Sequence, residues 1–380
     1  MFSELRPVGN KIHYKCTPFN ELFHPYKSKF YQSGTAALAS AIIAVKNLHP
    51  EIKHPEILLP AYACPDLISA IIFANIKPVL IDFEEHKPWM DIEKVKKNLS
   101  NSTIAVIAVN FLGLPERIPL INDVVGGLAI KVIEDSAQSL PLLIDSNYWK
   151  GDVIITSFGR GKPLSLLGGG VALTNEQDLY VQLPKTKIVE LSWLMAVKYQ
   201  FKIHLYNFMI KSHIYYWLLK LPGLQIGKTK YKKLSSLEGF HTKILSLITK
   251  NYQEYKKLKN AGTRIQKMLE EINSPHIIDI PKICNHDLSN PLLRYPVLIT
   301  NESFRTQVLS ILNQHGLGIS SMYGDILPNI EGVKLEKNYK IDEFYNAKKF
   351  SEQLVTFPTH CDVTDSDISN MKNHIENISA

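Results

Sequence analysis

DVIITSFGRGKPLSLLGGGVALT, residues 152–174, contains two short β-branched runs and, in the glycine-rich stretch between them, one lysine, Lys162. Apolar runs of this length, bounded by glycine and proline, read as strands buried on both faces. A lysine in a loop is ordinarily a solvated surface charge. Glycines, however, also let backbone approach a ligand closely, and a buried amine at a strand end can form an imine with an aldehyde cofactor. The rest of the chain has to decide between these readings.

Upstream, from Gly34 to about Thr174, the runs EILLP, KPVLIDF, TIAVIAVNF and IKVIEDS alternate with the helical patterns SGTAALASAIIAV and CPDLISAIIFA. This alternation predicts βα units and a mostly parallel sheet in an α/β domain. Ligands of such sheets bind beyond the carboxyl ends of the strands. Asp135, in VIEDSAQ, stands at such an end: it is either a cap for the following segment or a carboxylate that keeps a heteroaromatic nitrogen protonated. In SGTAAL, residues 33–38, small residues precede a helix, which suits either an ordinary N-cap or a phosphate on open N–H groups.

Together, and in this order, the helix start, the strand-end Asp135, Ser157 five residues before Lys162 and the glycine turn are the parts of a pyridoxal-phosphate site. They resemble the DegT/DnrJ/EryC1/StrS aminotransferases, fold type I enzymes that aminate keto sugars. The likeness extends through ILLPAYACPDLISAI, AVNFLGLPERI and LVTFPTHCDVTDSDI. It implies a large pyridoxal-phosphate-binding domain (residues 1–245) with a mostly parallel sheet, and a smaller α+β domain (residues 246–380).

By the same resemblance, Lys162 is the covalent anchor and proton shuttle, and Asp135 the partner of the pyridine nitrogen. Gln138 bonds the phenolic oxygen, and the Gly34 and Thr35 amides with Ser157 hold the phosphate. The residue stacking on the ring falls at Cys64, with Tyr62 as the alternative. The family's Gly-Tyr-Asn-x-Arg becomes GFHTK, so that His241 is the candidate phosphate donor to a partner subunit in a homodimer. The histidine usual after the fourth strand is Asn110, and the usual Gly-Glu-Gly-Gly is Leu167 to Gly170. Relatives that dehydrate have histidine at the lysine position, so Lys162 points to amino transfer, with glutamate as expected donor and a nucleotide-linked keto sugar, for surface polysaccharide or glycoconjugate synthesis, as expected acceptor. The alternatives are a non-sugar or lipid-linked carbonyl acceptor, or a non-catalytic sensor or scaffold that keeps the cofactor pocket.

With 380 residues and 45% hydrophobic composition the chain can bury a large core. Four dispersed cysteines suggest neither a disulfide framework nor a metal site and fit a cytoplasmic protein. No leader or membrane span is read, and the net charge of +7 decides little by itself. Residues 185–233 form an aromatic and basic insertion. Its part from 191 to 233 suits either packing against the large domain or a partner, or a peripheral membrane contact. No nucleic-acid-binding module surrounds it.

Overall fold

The computed structural model describes residues 4–19, 21–220, 229–335 and 339–379. Its main sheet begins with β1 (Lys27–Tyr31), followed by α1 (Gly34–Asn47), β2 (Glu56–Pro60), α2 (Asp66–Phe73), β3 (Lys77–Ile81) and α3 (Ile92–Asn98). The chain continues through β4 (Thr103–Val109), α4 (Ile118–Val125), β5 (Lys131–Asp135), β6 (Val153–Ser157), β7 (Gly170–Thr174) and α5 (Gln177–Gln182). The seven strands lie in the order β1-β7-β6-β5-β4-β2-β3; β2 to β6 are parallel, while β7 and β1 run antiparallel to their neighbours. The predicted mostly parallel α/β sheet is therefore present, with an added antiparallel edge at β1.

Period-two side-chain direction explains why these strands are apolar throughout. Ile57, Leu59, Ala105, Ile107, Ile133, Val153 and Ala172 share one core with α1. Their neighbours Leu58, Val106, Ala108 and Val132 face a second core with α3 and α4. Ile154, Val171 and Leu173 face a third core. Helix α1 presents Ala36, Ala37, Ala39, Ala41 and Ala44, all fully buried, so its axis can come close to the sheet.

Beyond β7 come α6 (Trp193–Met209), α7 (Ser212–Lys220), α8 (Thr242–Tyr255) and α9 (Gly262–Ile272). Helices α8 and α9 are separate, because the chain breaks after Tyr255. There the Asn260 side chain accepts from the Gly262 amide (2.9 Å) and donates to the Leu292 carbonyl (3.0 Å), starting α9 in a new direction. Helix α8 packs Leu247, Ile248, Tyr252 and Tyr255 into the core under β6 and β7. The expected boundary at 245/246 falls inside this helix, and the chain leaves the large sheet only after it.

A second sheet, β10-β9-β8, is antiparallel. It comprises β8 (Ile277–Asp279), β9 (Arg294–Ile299) and β10 (Leu354–Pro358), accompanied by α10 (Ile280–Ile283), α11 (Glu302–Gln314), α12 (Tyr345–Gln353) and α13 (Asp365–Ser379). Tyr295, Val297 and Phe357 of this sheet join the same core as α1, so the two sheets are packed through one apolar cluster.

The end of β5 is fixed by a buried carboxylate. Glu134 accepts from the amides of Lys150 (2.8 Å) and Gly151 (2.9 Å) and from Asn110 Nδ2 (2.8 Å). Asn110 Oδ1 in turn accepts the Glu116 amide at 3.0 Å, which gives this asparagine a structural task. Burial pushes the Glu134 carboxyl upward while the three donors oppose it. Glu134→Ala leaves those donors unpaired in the interior, and chemical denaturation should show a loss of about 3–5 kcal/mol.

Candidate functional site

The carboxyl ends of β5 and β6 meet the start of α1. Ser33 caps this helix, its Oγ accepting the Ala36 amide at 3.1 Å. The first N–H groups of a helix have no acceptor within it, and Gly34 and Thr35 supply two of them. A Cβ on Gly34 would stand 2.7 Å from both Cβ and Oγ of Ser157, so glycine is what lets α1 abut the Ser157 hydroxyl. That hydroxyl accepts the Gly159 amide at 3.2 Å. Helix dipole, open amides and hydroxyl together make an anion cradle.

The loop between β6 and β7 is closed at its base. Phe158 donates to the Gly169 carbonyl (2.9 Å) and accepts from the amides of Leu166 (2.8 Å) and Gly168 (3.2 Å). Lys162 lies in the turn above, its amide donating to the Gly159 carbonyl at 3.3 Å. The glycines that follow are dictated by close contact. A Cβ on Gly169 would meet Phe240 at 2.3 Å, and one on Gly170 would meet the Ser33 carbonyl oxygen at 2.5 Å and the Gly34 nitrogen at 2.6 Å. Leu167, where the family pattern has glycine, holds a left-handed φ of +63°.

Lys162 lines a cavity of about 1040 Å³ with Cys64, Gln138, Arg160, Tyr323 and Arg294. Asp135 is buried at the end of β5, and its Oδ1 accepts the Ala137 amide at 3.0 Å. Burial drives its carboxyl upward, Lys162 and the Ala137 amide oppose this, and Asp66 adds to it. The low-dielectric setting favours a cationic partner for this carboxylate. Gln138 is held at both ends of its amide: Oε1 accepts from the Leu112 amide (2.9 Å) and Nε2 donates to the Tyr323 hydroxyl (2.6 Å). Thr35 Oγ1 donates to Asp66 Oδ2 at 3.1 Å, tying the starts of α1 and α2 together.

Not every expected residue reaches the cavity. Tyr62, only 1% exposed, packs its ring against Phe83, Phe111, Tyr323 and Phe350 at 5.5–6.2 Å. It lies in the aromatic core beneath the cavity, so the ring-stacking role expected for it does not fit its place. Cys64 does line the cavity, and burial pushes its thiol up to about 12, so it is a neutral wall. His241 lies apart from the residues that line this cavity: it precedes α8 and pairs through its backbone with Val189.

Two residues that sequence reasoning missed come from the second sheet and its loops. Tyr323 bridges Gln138 and Tyr62. Arg294 begins β9, and its Nη1 donates to Ser320 Oγ at 2.7 Å. Its Nε has no partner, and no carboxylate among the described residues is within ion-pair distance of it. Burial lowers its guanidinium to about 10, which leaves it charged at neutral pH. An arginine opening the otherwise apolar LLRYPVLIT was the signal available in the sequence.

Residues 19–192 match the DegT/DnrJ/EryC1/StrS aminotransferase family. The chain is 22% identical over 370 residues to the uncharacterized protein MJ1066 of Methanocaldococcus jannaschii, covering 96% of this chain and 90% of that one. It is 25% identical over 174 residues to GDP-perosamine synthase of Escherichia coli O157:H7, covering 45% of this chain and 47% of the relative. It thus spans about half the length of that sugar enzyme. Among solved structures, NtdA of Bacillus subtilis with bound cofactor PMP superposes with a TM-score of 0.66 at 16% identity, covering 94% of this chain and 74% of that one.

The Gly170 contact is with backbone and cannot yield by side-chain rotation. Gly170→Ala should therefore separate α1 from Ser157 and weaken binding of pyridoxal phosphate about tenfold or more, read by absorbance titration.

Proposed function

The chain belongs to the DegT/DnrJ/EryC1/StrS aminotransferase family through its residues 19–192, and on that premise we propose that it is a pyridoxal-phosphate-dependent aminotransferase acting on a keto sugar. One observation carries the reading: Lys162, which lines the cavity, acts electrostatically on the buried Asp135 carboxylate, and its loop follows directly on Ser157 of the Gly34–Ser157 anion cradle. The fit to the cofactor is chemical. The cradle suits its phosphate, and a carboxylate in low dielectric suits its protonated ring nitrogen.

When bound, pyridoxal phosphate supplies an electron sink for the pair left on a carbon that loses a proton. Lys162 would hold the cofactor covalently and, once displaced by the donor amine, take the proton from the donor α-carbon and return it elsewhere. Asp135 keeps the ring nitrogen cationic, and Gln138, braced by Leu112 and Tyr323, presents its amide to the phenolic oxygen. Cys64 forms an uncharged wall on the cavity.

Arg294 is a half-buried cation with no carboxylate among the described residues within ion-pair distance, so it anchors an anion that arrives with substrate. The α-carboxylate of an amino donor, glutamate in this reading, is the occupant we assign to it. The acceptor is a nucleotide-linked keto sugar destined for polysaccharide or glycoconjugate synthesis. The enzyme works as a cytoplasmic homodimer with His241 reaching the partner's phosphate site. Among the described residues no helix is long and apolar enough to cross a membrane.

Three measurements test the proposal. Borohydride reduction of the coloured holoenzyme, followed by peptide mass spectrometry, should place the cofactor adduct on Lys162. Lys162→Ala should give no amine product from donor and keto sugar; retained turnover, or an adduct on another residue, refutes the mechanism. Arg294→Ala should raise KM for the amino donor about 100-fold while KM for the acceptor changes little, and Arg294→Lys should recover part of the loss.

A further inference from the structure

Helix α6 is apolar on two sides. One side packs inward through Tyr199, Ile203, Tyr206 and Ile210. At about 100° per residue, Trp193, Leu194, Val197, Phe201, Leu205 and Phe208 fall on a second stripe roughly 120° wide on the other side. All six are exposed, Trp193 by 79% and Phe201 by 67%. Lys198 and Lys202, also exposed, follow along one edge of this stripe. A solvated helix face would carry polar groups there, and an apolar patch of this extent marks an interaction surface.

Charge narrows the choice of partner. Between Glu190 and Glu238 the described residues include seven lysines and no aspartate or glutamate. Exposed Lys211 and Lys220 continue the basic border through α7, where Trp217 is also exposed. A second copy of the chain docking two-fold on this stripe would bring lysine-bordered faces together, with no acid from the segment to pair with them. Anionic headgroups above an apolar layer complement both features, and aromatic rings with lysine stems suit that boundary.

We infer that the outer face of α6, continued by α7, docks this protein peripherally on an anionic lipid bilayer. The docking helix does not span the bilayer; it lies in the headgroup region with its stripe in the acyl boundary. The surface is continuous with the candidate active site, because Tyr215 and Leu219 of α7 line the same cavity as Lys162. Docking therefore holds the cavity beside the membrane. The docking itself does not depend on the proposed activity. Residues 221–228 of the 191–233 segment lie outside the described residues and carry no part of the argument.

The test is co-sedimentation of the full-length holoenzyme with phosphatidylcholine vesicles and with vesicles containing about one third phosphatidylglycerol. Binding should be strong only with the anionic vesicles and should fall as salt is raised. Phe201→Glu, or Phe208→Ser as a milder variant, should weaken partitioning about tenfold with an unchanged circular dichroism spectrum and turnover of soluble substrate. Lys198→Gln with Lys202→Gln should weaken it in low salt and flatten the salt dependence. No anionic-vesicle binding, or equal binding by the stripe variants, overturns the inference. So does a Phe201→Glu variant that splits an oligomer in lipid-free solution, since the face then belongs to a second copy.

Discussion

The candidate site depends on the approach of two backbones, where the start of β7 crosses the start of α1. Gly170 lies so close to Ser33 and Gly34 that a single added carbon would come within 2.5 Å of the Ser33 carbonyl. On the other side of the same junction, Gly34 is held against Ser157. The N-terminus of α1, the end of β6 and the loop that bears Lys162 are thereby placed in one arrangement. The alanine-rich face of α1 continues the contact along the sheet, so the features that pack the helix also hold its open amides beside Ser157.

Charge in the cavity follows from burial more than from pairing. Asp135 is buried and accepts one backbone amide, and Lys162 acts on it through space. Arg294 approaches from the second sheet, anchored by Ser320, with no carboxylate among the described residues within ion-pair distance. A buried acid and a cation with no ion-pair partner among the described residues leave such a site electrostatically incomplete in the protein alone. Ligands that carry the opposite charges would complete it.

The insertion after β7 shows one segment meeting two environments. The inward face of α6 completes the core under β6 and β7, whereas its outward face exposes large apolar side chains beside lysines. A helix apolar on both sides gives little periodic signal, so the sequence showed an aromatic, basic segment without showing which residues turned outward. The folded chain separates them by direction.

By itself the sequence determined the strands and the groups at their ends. Strand identity was legible because both faces are covered, making the runs apolar without interruption, and Lys162, Asp135, Gln138 and Ser157 were legible because each lies within a few residues of such a run. The tertiary structure decided what depends on distant segments meeting. It sank Tyr62 into an aromatic core instead of the cavity, turned the chain between α8 and α9 at Asn260, and gave Asn110 to Glu134. It also brought Tyr323 to Gln138, 185 residues away in sequence, and Arg294 to the cavity. Local pattern specifies where a strand ends; only packing between the two sheets specifies what stands opposite that end.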